Sequence, residues 1–254
     1  MTVSTPKDPC AFLSSFDTIV VIDDSGSMAG SSWPEVKNVL SAITPICTTH
    51  KKDGVNFYFL NHKTWYSGNV RAGKAGGGYH GICLAETVHN IFTKIHPYCT
   101  IPTGQRFNDI LRSYLQLLKS RKQNTQSVKP INIIVITDGA ASDDVESIII
   151  TAAEKPDKLN APKHQVGNKP GARETLQELD DDLARKDTGK LRDLVDTITW
   201  DQDNRDVLTA DRILKGVLGA VLRRLDRRRW RRGCRRTMVD RLRLRQSHNV
   251  ASIF

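Results

Sequence analysis

The feature that most constrains the fold of this chain is residues 18–28, which read T-I-V-V-I-D-D-S-G-S-M. The run of β-branched apolar residues predicts a buried strand, and the abrupt change to polar residues predicts a loop at its carboxyl end. Asp23, Ser25 and Ser27 are spaced two apart, so a tight turn can bring one carboxylate and two hydroxyls around one point. Hard oxygen donors of this kind are the ligands that Mg²⁺, Mn²⁺ and Ca²⁺ prefer.

A second run of the same character, I-N-I-I-V-I-T at 131–137, predicts another buried strand and ends in Asp138-Gly139. Between these two strands, Thr103-Gly104 follows Ile101-Pro102 and opens a predicted helix. The carboxyl ends of parallel strands meet at one edge of an α/β sheet. The predicted site therefore draws on three loops, and its residues are Asp23, Ser25, Ser27, Thr103 and Asp138.

The order D-x-S-x-S, then Thr, then Asp-Gly after a strand resembles the metal-ion-dependent adhesion site of von Willebrand factor A-type domains. The flanking texts D-D-S-G-S-M-A-G and I-N-I-I-V-I-T-D-G-A-A-S-D-D look like those of fungal proteins built around one such domain. The resemblance implies an α/β fold, with a doubly wound, mostly parallel central sheet and helices on both faces. It also implies that the first and fourth strands are neighbours, at the point where the strand order reverses.

The resemblance implies a function as well. By analogy with the family, Ser25, Ser27 and Thr103 would bind a cation directly or through water, while Asp23 and Asp138 would act largely through bound water. An Asp or Glu carboxylate of a partner protein would fill the position left open. The implied cofactor is Mg²⁺, with Mn²⁺ or Ca²⁺ as alternatives, and the implied function is protein binding without catalysis.

The length of 254 residues suits one α/β domain rather than two of full size. We expect an amino-terminal extension at 1–15, the A-type domain at 16–228 and a basic tail at 229–254. One departure from the family pattern is that 160–171 contains no run of four apolar residues. The fifth strand is therefore predicted to be shortened or missing, so that a strand near 195–200 would pair directly with the fourth or leave an open edge.

Residues 223–245 hold twelve Arg against Asp226 and Asp240, a net charge of +10 that equals the +10 of the whole chain. An alternative function is therefore binding of nucleic acid or an anionic surface through this segment, where Trp230 is available for stacking. The competing interpretation is a solvated tail without regular structure. The scarcity of apolar residues in this segment favours the second interpretation slightly.

The start of the sequence shows no positive run followed by an apolar core, and no apolar stretch is long enough to span a bilayer. The five cysteines are odd in number and scattered, which is typical of a reducing compartment. We therefore predict a cytoplasmic protein, with a nuclear location as the alternative that the basic tail raises.

Two other kinds of site compete for the same residues. A phosphotransferase of the haloacid dehalogenase type would use Asp23 as nucleophile, but it needs an acid two residues later, where this chain has Ser25. A zinc site could draw on four His and Cys side chains, although only His96-x-x-Cys99 has a common ligand spacing. The four candidates for that zinc site are Cys83, His89, His96 and Cys99.

Periodicity and capping signals predict the remaining elements. Pro45 is expected to kink or end the first helix, 61–81 is expected to be a glycine-rich loop that shapes specificity, and Asp143 is expected to cap the fourth helix. The other predicted segments are helices that begin at 32 and at 171, helices at 85–95, 104–120, 143–159 and 209–228, and a strand at 55–60.

Overall fold

The computed structural model describes residues 16–49, 53–158, 195–200 and 248–253. Its strands are β1 (Asp17–Ile22), β2 (Val55–Phe59), β3 (Tyr79–Ile82), β4 (Ile131–Thr137), β5 (Val195–Trp200) and β6 (His248–Ile253). Its helices are α1 (Ser32–Thr48), α2 (Ala85–Phe92), α3 (Thr103–Ser120) and α4 (Val145–Lys158). Within these ranges, no helix is long and apolar enough to cross a membrane.

The strands form one mixed sheet in the order β3-β2-β1-β4-β6-β5. The centre of the sheet is parallel, because β1 pairs in parallel with both β2 and β4. Both edges are antiparallel, since β3 opposes β2 and β6 opposes both β4 and β5. The predicted α/β class and the predicted adjacency of the first and fourth strands are confirmed. The prediction of a mostly parallel sheet is wrong, because two of the pairs between the described strands are parallel and three are antiparallel.

Side chains of the central strands alternate between two apolar layers. Val20 and Ile22 of β1 pack in one cluster with α1 and α2, and Ile19 and Val21 pack in another with α3 and α4. Because both faces are covered, β1 and β4 read as nearly continuous apolar runs rather than as alternating ones. Each fully buried aliphatic side chain contributes about 1.5–3 kcal/mol, so the two layers hold the ends of β1 and β4 firmly in place.

The predicted glycine-rich loop at 61–81 is wrong at its end, because β3 begins at Tyr79. The strand pairs with β2 through a close backbone approach that glycine allows: a Cβ on Gly54 would lie 2.4 Å from the carbonyl carbon of Gly81. The high glycine content of 61–81 therefore led to the prediction of a loop where the edge strand β3 is found. The expectation that Pro45 ends the first helix is also wrong, since α1 continues past it to Thr48.

The strand predicted near 195–200 is present as β5, but the first of the two arrangements expected for it, direct pairing with β4, is wrong. β6 lies between them, in a segment that was expected to lack regular structure. Its sequence has little pattern of its own, and its conformation comes from backbone pairing with two neighbours distant in the chain. Several predictions concern residues outside the described ranges. They are the extension at 1–15, the shortened or missing fifth strand at 160–171, the helices from 171 and at 209–228, and the Arg-rich segment.

Candidate functional site

The loop after β1 is held in a tight turn by its own polar groups. Asp23 continues the parallel ladder by donating its backbone N–H to the Ile136 carbonyl at 2.9 Å. Its side-chain Oδ1 accepts the backbone N–H of Ser25 at 2.8 Å, which reverses the chain within two residues. A short 3₁₀ turn at Gly26–Met28 follows, and the fully buried Met28 anchors it in the core.

A chain of hydrogen bonds joins this turn to the loop after β4. Ser25 Oγ lies 2.9 Å from Ser27 Oγ, and Ser27 Oγ donates to Asp138 Oδ1 at 2.7 Å. Ser27 and Asp138 are 111 residues apart in sequence, and the parallel pairing of β1 and β4 brings them together. Four of the five predicted site residues are therefore connected: Asp23, Ser25, Ser27 and Asp138.

The residues that carry these oxygens differ in how deeply they are buried. Asp23 and Ser25 are buried, with 0% and 1% of their surface exposed. Asp138 is half-buried and Ser27 is exposed. The cluster is therefore fixed at its inner side and reachable at its outer side, which is the arrangement that a ligand-binding site requires.

The inner carboxylate is Asp23, and burial raises its pKa above the ordinary value. Hydrogen bonds from Ser25 and from Thr137 Oγ1, which donates to Asp23 Oδ2 at 2.5 Å, oppose that rise, and the charge of Asp138 adds to it. Within the described part of the chain, no Lys or Arg forms a salt bridge with Asp23 or Asp138. Two carboxylates close together without a basic neighbour create a negative potential that favours a bound cation.

The fifth predicted residue, Thr103, opens α3 and is fully buried. Its hydroxyl Oγ1 has no hydrogen-bond partner in the described structure. Such a buried group costs about 1–3 kcal/mol, and a cation or a cation-bound water would relieve that cost. The orphaned hydroxyl and the all-oxygen donor set therefore fit a hard divalent cation.

The start of α3 is fixed by both acidic loops. The Cys99 carbonyl accepts the Gly26 N–H at 3.1 Å, and the Ile101 carbonyl accepts the Ser142 N–H at 2.9 Å. These bonds tie the segment before Thr103 to the loop after β1 on one side and to the loop after β4 on the other. Thr103 is therefore held between the two loops that carry the remaining site residues.

The residue expected to cap α4 caps α3 instead. Asp143 accepts the backbone N–H groups of Gly104 and Gln105, each at 2.8 Å. The expectation for α4 is wrong because the next residue, Asp144, takes that role by accepting the Ser147 N–H at 3.1 Å. Asp143 thus reaches across from the β4 side to orient the first turn of α3.

Sequence reasoning missed Asp24, which is fully buried beside the site. Its carboxylate accepts the backbone N–H groups of Asn61 and His62, each at 2.8 Å, and its backbone carbonyl accepts the Tyr98 N–H at 2.7 Å. Burial raises the pKa of Asp24, and the N–H bonds counter that rise. The doublet Asp23-Asp24 was the available signal, because two successive acids after a buried strand need two separate sets of partners.

Within the described residues, no three His, Cys, Asp or Glu side chains cluster in a way that could hold a metal ion. The alternative zinc site at Cys83, His89, His96 and Cys99 is therefore not assembled. The predicted five-residue set is of a different kind, with the two carboxylates of Asp23 and Asp138 and the three hydroxyls of Ser25, Ser27 and Thr103. Comparison with protein-family models and with curated protein sequences gives no match, so a function has to be inferred from the site.

Proposed function

We propose that the chain is a protein-binding module of the von Willebrand factor A type, with a doubly wound, Rossmann-like sheet. In this proposal a divalent cation is held by Asp23, Ser25, Ser27, Thr103 and Asp138, and an Asp or Glu of a partner protein binds to it. The observation that supports it best is the Ser25–Ser27–Asp138 hydrogen-bonded chain between loops 111 residues apart. Those loops meet at the β1–β4 junction, where open α/β sheets bind ligands.

The residues favour Mg²⁺, with Mn²⁺ or Ca²⁺ as alternatives, since every donor is a hard oxygen. The bound ion supplies a positive charge that attracts a carboxylate. Asp23 and Asp138 together carry two negative charges, so in the metal-stripped site they repel an acidic partner and in the loaded site they are balanced. Chelation is therefore expected to abolish partner binding.

The contacts of Asp23 favour a binding role over catalysis. Both of its carboxylate oxygens accept hydrogen bonds, one from the Ser25 N–H and the other from Thr137 Oγ1. A nucleophile of a phosphotransferase needs a free oxygen and a nearby acid, and position 25 is a serine. We therefore propose no enzymatic activity for this site.

The proposal is tested by calorimetric titration of Mg²⁺ and Mn²⁺ into the metal-stripped full chain. One saturable site is expected in the parent, with loss of binding in Asp23→Asn and at least tenfold weaker binding in Ser25→Ala. Asp109→Asn is the matched control, because Asp109 is a carboxylate of α3 that pairs with Lys63 at 3.3 Å. No binding by a folded parent, or equal loss in the control, would contradict the proposal.

A second candidate function rests on charge alone: residues 223–245 carry +10 in 23 positions. This segment would bind nucleic acid or an anionic surface, and a nuclear rather than a cytoplasmic location would accord with it. Oligonucleotide binding that falls steeply with salt and survives chelation would favour this function. Salt-insensitive binding, or none, would exclude it.

A further inference from the structure

An exposed aromatic surface lies on the loop between β2 and β3, residues 61–78, which we call the glycine-rich loop. Trp65 has 104% of its reference surface exposed, and its neighbours Tyr66 and Val70 have 38% and 49% exposed. Trp and Tyr are the residues that most often dominate binding energy at protein interfaces. Large apolar side chains exposed on one loop of a folded domain indicate a contact surface for another molecule.

The backbone that carries Trp65 is rigidly held. On either side of it, Thr64 donates its N–H to the Gly77 carbonyl at 3.2 Å, and Gly77 donates its N–H to the Tyr66 carbonyl at 2.7 Å. The guanidinium of Arg106, 1% exposed, donates to the same Gly77 carbonyl at 3.0 Å and to the His62 carbonyl at 3.1 Å. Trp65 is therefore presented on a fixed frame, which lowers the entropy lost when a partner binds it.

The glycine-rich loop begins beside the proposed cation site. Asp24 holds the backbone of His62 at 2.8 Å and directly precedes the site residue Ser25. Trp65 lies three residues beyond His62, so their Cα atoms are at most about 11 Å apart. A single extended peptide of about five or six residues spans roughly 17–20 Å and could reach from Ser25 to Trp65.

Tyr98, which contacts both Asp24 and the start of the glycine-rich loop, is also suited to bind a peptide. Tyr98 is 47% exposed, and its backbone is bound on both sides: its N–H donates to the Asp24 carbonyl at 2.7 Å, and its carbonyl accepts from Asn61 Nδ2 at 3.1 Å. The backbone of Tyr98 is therefore bonded both to Asp24 and to the first residue of the glycine-rich loop, and its aromatic side chain is exposed.

The positive charge of the glycine-rich loop favours binding of one kind of peptide. Residues 61–78 contain Lys63, Arg71 and Lys74 and no Asp or Glu. Lys63 pairs with Asp109, whereas Arg71 and Lys74 form no salt bridge within the described residues. The loop begins beside the site for a carboxylate and carries its unpaired positive charges further along, around Gly73, which packs against Leu117 of α3. A loop of this composition is complementary to an acidic segment that also carries an apolar side chain.

We propose that the glycine-rich loop is the specificity surface of the module, and that Trp65 binds an apolar side chain of an acidic peptide segment in the partner. The apolar side chain lies three to six residues from the Asp or Glu that binds at the cation. This inference rests on the proposed function, because the cation fixes one end of the peptide. Arg71 and Lys74 attract the remaining acidic residues and govern the rate of association.

The test uses labelled synthetic nonapeptides with one central Glu in an acidic sequence, measured by fluorescence anisotropy against the full chain in Mg²⁺. Each peptide carries Phe, Leu or Ser at a position three to six residues from the Glu. The Phe or Leu peptides are expected to bind at least tenfold more tightly than the Ser peptides. Trp65→Ala should remove that difference, Trp65→Phe should retain part of it, and the exposed Leu84→Ala, outside the loop, should leave it unchanged.

The outcomes separate this inference from the proposed function. If the parent and Trp65→Ala bind Mg²⁺ equally but apolar peptides gain nothing over Ser peptides, the specificity surface is wrong and the cation site stands. If the parent does not bind Mg²⁺, both are wrong. Magnesium-independent binding of a single-stranded oligonucleotide that is lost in Trp65→Ala would assign the loop to nucleic acid and overturn the inference.

Discussion

Two buried polar clusters lie at successive turns of α3, and they differ in where their hydrogen bonds go. Around Arg106, the guanidinium donates to the carbonyls of Phe59 at 2.6 Å, His62 at 3.1 Å and Gly77 at 3.0 Å. It also stacks over the Tyr58 ring, 5.3 Å from its centre. One turn earlier, Thr103 buries a hydroxyl that has no partner in the described structure.

The difference separates a structural cluster from a binding cluster. The bonds of Arg106 end on backbone groups of its own chain, so they fix the glycine-rich loop against β2 and α3. The proposed site combines two carboxylates, the reachable oxygens of Ser27 and Asp138 and the unpartnered hydroxyl of Thr103, and it has no salt bridge within the described residues, so it retains capacity for a cation. The first cluster should therefore govern stability and the second should govern cation affinity.

The largest loss of stability is expected for Arg106→Met. The change removes the guanidinium donor from the carbonyls of Phe59 and His62 and one of two donors from the carbonyl of Gly77, and we expect the free energy of unfolding to fall by about 3 kcal/mol. Urea denaturation measures this loss, with Arg112→Met as the control because Arg112 lies exposed on the same helix. An equally small change in both variants would show that the Arg106 cluster does not hold the loop.

A smaller loss of stability, joined to a loss of binding, is expected for Asp143→Ala. This carboxylate caps α3 at Gly104 and Gln105, so its removal should cost about 1–2 kcal/mol of unfolding free energy. It should also weaken Mg²⁺ binding, since the first turn of α3 carries Thr103. Asp144→Ala loses the cap of α4 instead, and it should lose stability with little change in Mg²⁺ affinity.

Low pH is expected to reduce the stability of the fold through His80, which is not one of the proposed cation ligands. Burial, and then the charge of Lys74, lower the pKa of His80 from 6.5 to about 4. The unfolded chain therefore takes up this proton first, and stability is lost as the pH falls from about 6.5 through about 4. Denaturation midpoints across this range should fall less steeply in His80→Gln than in the parent. The exposed His89→Gln should follow the parent, and identical slopes in all three would contradict this role.

The parts of the molecule that sequence could predict are those in which local pattern and burial agree. β1 and β4 are covered on both faces, so their nearly continuous apolar runs identified them as strands. The predicted strand at 131–137 matches β4 at both ends. Asp23, Ser25, Ser27 and Asp138 follow directly from those strands, because parallel neighbours place their ends together. Thr103-Gly104 after Ile101-Pro102 likewise indicated the start of α3.

The parts that sequence could not predict depend on contacts between distant segments. β6 gains its conformation from pairing with β4 and β5, and β3 from a close approach at Gly54. Asp143 was assigned to the nearest helix, although its partners lie 38 and 39 residues away. Asp24 was missed for the same reason, since its bonds reach a loop 37 residues later.

The measurement that tests the cation site most directly is the stabilisation by Mg²⁺ of Thr103→Val compared with the parent. Valine keeps the shape of threonine and removes only the hydroxyl that lacks a partner, so the metal-stripped variant should be as stable as the parent or slightly more stable. At a concentration one hundred times the dissociation constant, Mg²⁺ should stabilise the parent by about 2.7 kcal/mol. At that same concentration the variant should lose at least half of this gain. Equal stabilisation of both proteins, or none in either, would contradict a cation site at Thr103.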